Sequence, residues 1–516
     1  MLYRFWKTGL AIFMPGCILL SSCSFRSYIP TPSLRNTVGN HNSYVNNTVP
    51  KNNFYEKFYD LTFALNFTNQ KTQEFGTGWL IDWKGDETKD LNTLTIASSS
   101  IISSVSNHSL KEKQDDKLFI AYIATNLHLI DGLKNDHDYQ PYNKDGNGLS
   151  FPFDQKTQSF LLGRFANPKI NSKPEEMNYQ VQTRLKQDAM VFIQTSTLPK
   201  TAYAGIDPIN FDYHETSDES GFWTKKQSTA NFPRTRTLKS YADFAVLEVP
   251  LFLDNANDAK IYQEWIRPAV QAYKELGDVE NIFAKTPYAE YINNTYYLLG
   301  YPVTNNNKYQ FILGQDEKWK FSQQTSVLKH YQKQPLQQRT VYVERDDGLP
   351  TLTFNEDKLT HVQGTDLINV DQITDTNLGN GLINYAGLSR FTLSYHNVEY
   401  KLFGYGTILN NTNFPGGSSG SAVFNKEKQL TSIYFGSLIN VTTGNNRNVN
   451  LGLGQILRTY NTNNSKHSAP SSYDLIFGDK NTIKFYAQFA KEKQTHLWNK
   501  IQTSVNSSIS FYKDKK

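Results

Sequence analysis

Phe414-Pro415-Gly416-Gly417-Ser418-Ser419-Gly420-Ser421-Ala422-Val423-Phe424 holds a serine in a glycine-rich turn directly ahead of an apolar strand. Glycine lets a backbone turn tightly, and such a turn aims two amide N–H groups, those of Gly417 and Ser419, at one point. A carbonyl oxygen gaining negative charge would sit at that point, with the Ser419 hydroxyl poised to attack its carbon. Glycine and serine also make ordinary surface turns. The chemical reading therefore requires a base, and a group to orient it, elsewhere in the chain.

Ile123-Ala124-Thr125-Asn126-Leu127-His128-Leu129-Ile130 places a histidine at the end of an apolar run that begins at Leu118. A neutral imidazole beside the serine can take its proton and later return it to a leaving amine. The strand-like Gly76-Thr77-Gly78-Trp79-Leu80-Ile81-Asp82 precedes it, as the first half of a hairpin would. His108, His137 and His214 lie in polar, loop-like surroundings. For the acid, Tyr241-Ala242-Asp243-Phe244-Ala245-Val246-Leu247-Glu248-Val249 offers an aspartate at the head of an apolar strand. From there a carboxylate can fix the histidine tautomer and stabilise the imidazolium. Asp188, in Gln187-Asp188-Ala189-Met190-Val191-Phe192, has a similar local form and remains the rival to Asp243.

His128, Asp243 and Ser419 follow one another in the chymotrypsin order, unlike the orders of subtilisin or the α/β-hydrolases. Thr125-Asn126-Leu127-His128 resembles the T-N-x-H of the high-temperature-requirement proteases, and Gly76-Thr77-Gly78-Trp79 their G-S-G-F strand. Gly417-Ser418-Ser419-Gly420-Ser421-Ala422-Val423-Phe424-Asn425 resembles the G-N-S-G-S-P-V-F-N of staphylococcal glutamyl endopeptidases, and Leu299-Gly300-Tyr301-Pro302 their G-Y-P strand. Over about residues 54–460, and again at Ser472-Tyr473-Asp474-Leu475-Ile476-Phe477-Gly478, the chain is most similar to mycoplasma surface lipoproteins with a trypsin-like peptidase domain. Some of these cleave immunoglobulin heavy chains. The resemblance implies an all-β-dominated, chymotrypsin-like double β-barrel with large insertions and a C-terminal helix. It also implies a protein substrate, immunoglobulin among the options, and a separate antibody-binding surface protein as a partner. Ser418 stands where trypsin-like zymogens carry the aspartate that pairs with a freshly cut N-terminus, so that route of activation is not expected. No appended PDZ-like module is visible.

Residues 1–22 read as a leader. Arg4 and Lys7 make its positive end, and Thr8 to Leu20 is an apolar stretch too short for a convincing membrane span. Leu20-Ser21-Ser22-Cys23 matches a lipobox, so Cys23 is expected to carry a lipid and anchor the chain on the outer face of the cell membrane. The chain has two cysteines, Cys17 and Cys23, and Cys17 would leave with the leader. No disulfide is then available, and the fold must rest on its core. Residues 23–52, rich in Ser, Thr, Asn and Pro, read as a tether with an r.m.s. span of roughly 30 Å. The formal net charge is +5, with Arg4 and Lys7 supplying two of those charges. Basic and acidic residues are otherwise well mixed, which gives nucleic-acid binding no support.

Short apolar runs separated by Asn, Gly and Asp turns, with 31 Tyr and 32 Phe, predict strands through most of residues 53–516. Two helices are expected. One spans Asp258 to Leu276, with Ile261, Trp265, Ala269, Ala272 and Leu276 on one face, Gly277 as its stop, and a kink or split at Pro268. The other spans 483–501, with Phe485, Phe489, Leu497 and Ile501 aligned. Residues 134–235 and 308–382 read as insertions, the second as long loops or a hairpin near the rim of the site. Rim loops commonly carry specificity. Counting six residues back from Ser419 puts Asn413 at the floor of a primary pocket, and an uncharged floor would not select Lys or Arg. Phe435, Gly436 and Ser437 should line the cleft on a strand that pairs with extended substrate.

These expectations define a lipid-anchored serine endopeptidase that needs no cofactor or metal. Its competitors are a catalytically inactive relative acting as an adhesin or host-protein-binding module, and a surface esterase or transferase. The esterase order would more naturally be Ser, Asp, His.

Overall fold

A computed structural model describes residues 53–70, 72–89, 117–165, 190–210, 234–277, 296–301, 392–410, 417–425, 427–442, 448–460 and 472–503, with short helical and strand segments between them. The predicted leader, Cys23 and nearly all of the tether lie outside the described residues, as do Asp188 and Asn413. Strands dominate, and they form mixed sheets.

The larger sheet starts from helix α1 (Asn53–Leu61) and strands β1 (Thr62–Asn69), β2 (Gln73–Lys84) and β3 (Leu118–Thr125). β1 and β2 are buried along almost their whole length rather than on alternate residues. Both faces are covered, which is why these segments read as continuous apolar runs. A one-turn helix α2 (Leu127–Ile130) follows β3. Strands β4 (Thr157–Phe165), β5 (Met190–Gln194), β6 (Lys200–Ile206), β7 (Asp212–Ser217) and the long β8 (Arg234–Phe252) complete the frame. The order β7-β8-β3-β2-β1-β4-β5 is antiparallel throughout, with β6 also paired to β8. Residues 134–235 thus supply several members of this sheet. Among the described residues its strand pairings run as an open ladder and do not close into a barrel.

After β8 the chain forms α3 (Ala256–Ile261), a π-helical stretch Tyr262–Ile266, and α4 (Arg267–Leu276), which ends at Gly277 with φ +128°. The expected helix is therefore continuous. Pro268 lacks the N–H that an α-helix would donate to the carbonyl of Glu264, and the wide π turn just ahead absorbs that mismatch.

The smaller sheet holds β9 (Tyr296–Gly300), β10 (Asn380–Asn384), β13 (Tyr405–Asn410), β14 (Ala422–Asn425), β15 (Leu430–Thr442) and β16 (Asn448–Ile456), in the order β9-β14-β15-β16-β13-β10. Between β10 and β13 the hairpin β11 (Thr392–Tyr395) and β12 (Val398–Leu402) returns to the larger sheet, where β12 runs parallel to β8 at Lys239–Tyr241. Phe403 N–H donates to Tyr241 O (2.7 Å), and Gly404, at φ +99°, then turns the chain back into the smaller sheet. Within 308–382 the described backbone includes an antiparallel pair, Thr340–Asp346 with Leu349–Asn355; most of that stretch lies outside the described residues.

One apolar core spans both sheets. Phe424 of β14 meets Phe58 of α1 edge-on at 4.8 Å between ring centroids and Trp79 of β2 at 6.5 Å. Edge-to-face contacts of this kind add about 0.5–1.5 kcal/mol each beyond area burial.

The C-terminal helix expected over 483–501 is two helices, α5 (Tyr486–Lys493) and α6 (His496–Thr503). Gln494 breaks them with a left-handed φ of +54°. The break aims Leu497 N–H at the buried Asp82 carboxylate of β2 (2.8 Å), which also accepts from Tyr486 Oη (3.0 Å). The apolar period runs through the break because Leu497 is buried in the same core as Phe485.

Candidate functional site

His128 lies on α2, one turn beyond the end of β3, rather than on the strand itself. Asp243 lies in the body of β8, which begins at Arg234, nine residues before it, rather than at the head of the strand. The register of β8 against β3 pairs Ala245 with Thr125, and this brings the following turn alongside Asp243. His128 Nδ1 is 2.7 Å from Asp243 Oδ2, and His128 N–H donates to Asp243 Oδ1 at 3.0 Å. Both side chains are largely withdrawn from water, at 12% and 3% exposure. A carboxylate can only accept, so Nδ1 carries the proton and Nε2 is left with its lone pair as a base.

Ser419 is buried at 3% exposure in the turn between residues 417 and 421. Gly417 and Gly420 both have positive φ, +93° and +95°. Gly420 cannot be replaced freely, because a Cβ there would stand 1.9 Å from Thr77 O. The turn is docked on β2 through one residue. Thr77 N–H donates to Ser419 O (2.7 Å) and Thr77 Oγ1 to Gly417 O (2.9 Å). On its other side Thr77 O accepts from Thr125 Oγ1 (2.7 Å), three residues before His128. Thr77 therefore anchors the serine turn and the histidine turn at once.

Among the described residues, the Gly417 and Ser419 N–H groups have no hydrogen-bond acceptor. Ser419 Oγ donates to Phe435 O over a long 3.4 Å, and no hydrogen bond joins it to the imidazole. Phe435 and Gly436 lie buried on β15, where the register shifts by one residue between Tyr434 and Gly436; Ser437 continues the strand, opposite Gly452.

Four residues with no role assigned from sequence shape this region. Thr77 and Asn126 stand inside the quoted motifs, but nothing local marks what they hold. Asn126 Nδ2 donates to Asp243 O (2.7 Å). Gln455 of β16 accepts the Asp243 N–H at 3.4 Å, and Tyr473 contacts Gln455 through its hydroxyl. Tyr473 stands in the quoted Ser472–Gly478 segment, again with nothing local to mark its partners, and Gln455, which reaches from one sheet to the other, stands in none of the quoted motifs. Among the described residues no group of three His, Cys, Asp or Glu side chains could hold a metal ion.

A family model described as Mycoplasma immunoglobulin protease matches residues 52–436. An uncharacterized lipoprotein of Mycoplasma pneumoniae is 56% identical, over 99% of this chain and 98% of its own length. An uncharacterized lipoprotein of Mycoplasma genitalium is 38% identical, over 92% and 90%. Among solved structures, that of the mycoplasma MIB and MIP proteins aligns with 82% of this chain and 58% of the other, at a TM-score of 0.39 and 15% identity. A likeness that distant fixes neither fold nor function.

Proposed function

The chain belongs to the Mycoplasma immunoglobulin protease family, and on that premise we propose that it is a serine endopeptidase acting on proteins outside the cell. The observation that carries this reading is the His128–Asp243 pair, set on the same anchor residue, Thr77, as the Ser419 turn. In the proposed reaction Ser419 Oγ attacks the scissile carbonyl carbon and its proton passes to His128 Nε2. Asp243 holds the imidazole in the required tautomer and stabilises it once charged. The N–H groups of Gly417 and Ser419 receive the oxyanion. His128 then gives its proton to the leaving amine, and water repeats the sequence to release the acyl group.

On this reading the larger sheet, with His128 and Asp243, and the smaller sheet, with Ser419, correspond to the two halves of a chymotrypsin-like fold. Phe435, Gly436 and Ser437 form the strand along which substrate lies, and Asn413 the pocket floor. The family description supports immunoglobulin as substrate, and a separate antibody-binding surface protein as its presenter follows from the same analogy. Lipid attachment at Cys23, after a leader ending at residue 22, is supported by the lipoprotein names of the relatives. It places the catalytic domain on the outer face of the membrane, held by the 23–52 tether.

One observation favours a second reading, a binding protein without turnover: the Ser419 hydroxyl is engaged by Phe435 O and not by His128. Catalytic hydrogen bonds are often long before substrate arrives, so the bond alone does not decide the matter. Labelling of residues 24–516 with a fluorophosphonate probe does, with Ser419→Ala and His128→Ala as controls. Labelling lost in both variants supports the peptidase. Absence of labelling in folded protein, with and without antibody, supports the binder.

A further inference from the structure

Asp243 has four polar groups, and each has a partner. Its two carboxylate oxygens face His128, its C=O accepts from Asn126 Nδ2, and its N–H donates to Gln455 Oε1. The first two partners, His128 and Asn126, belong to the connection that follows β3 of the larger sheet. Gln455 comes from the smaller sheet, the one that carries Ser419, and is completely buried. Its carboxamide is itself held. Nε2 reaches Tyr405 O (3.3 Å), Ile456 O (3.2 Å) and Tyr473 Oη (3.4 Å). Tyr473 Oη accepts from Tyr405 N–H (2.9 Å) and lies 2.9 Å from Ile456 O. All of this surrounds Gly404, where the chain crosses between the sheets. A Cβ on Gly404 would stand 2.9 Å from Gln455 Nε2 and 3.0 Å from Tyr473 Oη.

A buried carboxamide costs free energy unless its donors and its acceptor are satisfied. Here they are, and one of them is spent on the backbone of the residue that orients His128. We infer that Gln455 is a positioning residue: it ties Asp243 to the serine-bearing sheet, so that the orientation of His128 follows the placement of Ser419. This inference rests on the roles proposed above for His128 and Asp243. Tyr473 supports Gln455, which gives the Ser472–Gly478 segment a function at the site.

The test reads the imidazole directly. In the full chain, purified in detergent and labelled with 15N-histidine, nitrogen shifts report which ring nitrogen of His128 carries the proton; His128→Ala assigns the signals. The wild type should show the Nδ1–H tautomer alone. Gln455→Met keeps the length of the side chain and removes both polar ends, and should admit the Nε2–H tautomer. It should also slow fluorophosphonate labelling by roughly ten- to a hundredfold, the scale of a small misplacement. Gln455→Glu keeps the acceptor for Asp243 N–H and should preserve the tautomer better than Met. A packing role alone predicts the opposite ranking, because a buried carboxylate is worse tolerated than a thioether. An unchanged tautomer in Gln455→Met, or a Glu variant more perturbed than the Met variant, overturns the inference. A wild type that shows the Nδ1–H tautomer but takes no label sinks the peptidase reading while leaving this test intact.

Discussion

Asp243 grips His128 twice, through the imidazole Nδ1 at 2.7 Å and through the backbone N–H at 3.0 Å. Two bonds from one carboxylate fix both where the helix turn sits and how the ring is rotated upon it. Asp243→Asn should therefore leave the fold intact while offering Nδ1 a donor in place of an acceptor. Turnover, or fluorophosphonate labelling, should fall about ten thousandfold, against about a millionfold for Ser419→Ala. Equal activity of Asp243→Asn and wild type would remove Asp243 from the mechanism.

Gly420→Ala should undo the docking of the serine turn. Its φ of +95° is costly for any L side chain, and the added methyl meets the backbone oxygen of Thr77. Strain of about 1–3 kcal/mol is expected from the dihedral alone, with loss of labelling from displacement of Ser419. Thermal unfolding and labelling together check this, and a variant that melts and labels like wild type contradicts the close approach.

Thr77→Val removes the hydroxyl that donates to Gly417 O and accepts from Tyr301 N–H. Two buried groups lose a partner, at about 1–3 kcal/mol each, whereas Thr77→Ser keeps both bonds. Denaturation midpoints should rank wild type and Ser well above Val, with labelling in the same order. Indistinguishable Ser and Val variants would show that the hydroxyl anchors nothing.

Asp82 gives a pH dependence of defined sign. Burial pushes its carboxyl up to about 7, against hydrogen bonds from Thr495, Leu497, Trp83 and Tyr486 that favour the ionised form. An unfolded aspartate releases its proton near 3.8. Between those values the folded chain holds a proton that the unfolded chain does not. Stability from this group is thus complete below about pH 4 and declines up to pH 7, by at most about 1.4 kcal/mol per pH unit. His396 and His496, pushed down to about 4 by burial, act in the opposite sense below pH 6.5, so the whole-protein curve mixes both. The stability of Asp82→Asn relative to wild type isolates the term. It should climb from pH 4 to 7 and then level off in urea titrations, and a flat difference would refute the assignment.

The parts of the site that sequence makes legible are those built within a few residues. The Gly417–Ser421 turn is readable because positive φ demands glycine, and the His128 turn because an apolar strand must end where a polar pair interrupts it. Sequence leaves Asp188 beside Asp243, because both precede apolar strands; the β8–β3 register brings Asp243 to His128, and Asp188 lies outside the described residues. Pairing across sheets leaves no local trace. Gln455 sits in Leu451-Gly452-Leu453-Gly454-Gln455-Ile456, where period 2 puts it on the face of Leu451 and Leu453; the pattern marks it as inward-facing but carries no sign of its contact with Asp243. Helix periodicity likewise carried no sign of the left-handed Gln494, since α5 and α6 face one core from both sides of the break.

Thr77 meets Gly417 across 340 positions of chain, Asp243 meets Gln455 across 212, and Asp82 meets Leu497 across 415. Contacts this distant form late, because loop closure must come before any of them is gained. A polypeptide emerging N-terminus first presents His128 and Asp243 long before Ser419 and Gln455, the residues they meet across the two sheets, exist. For the peptidase proposed here, cleavage is deferred until nearly the whole chain is out and folded. On that reading synthesis itself supplies a latency, since a chain that ends short of Ser419 has no nucleophile to deploy.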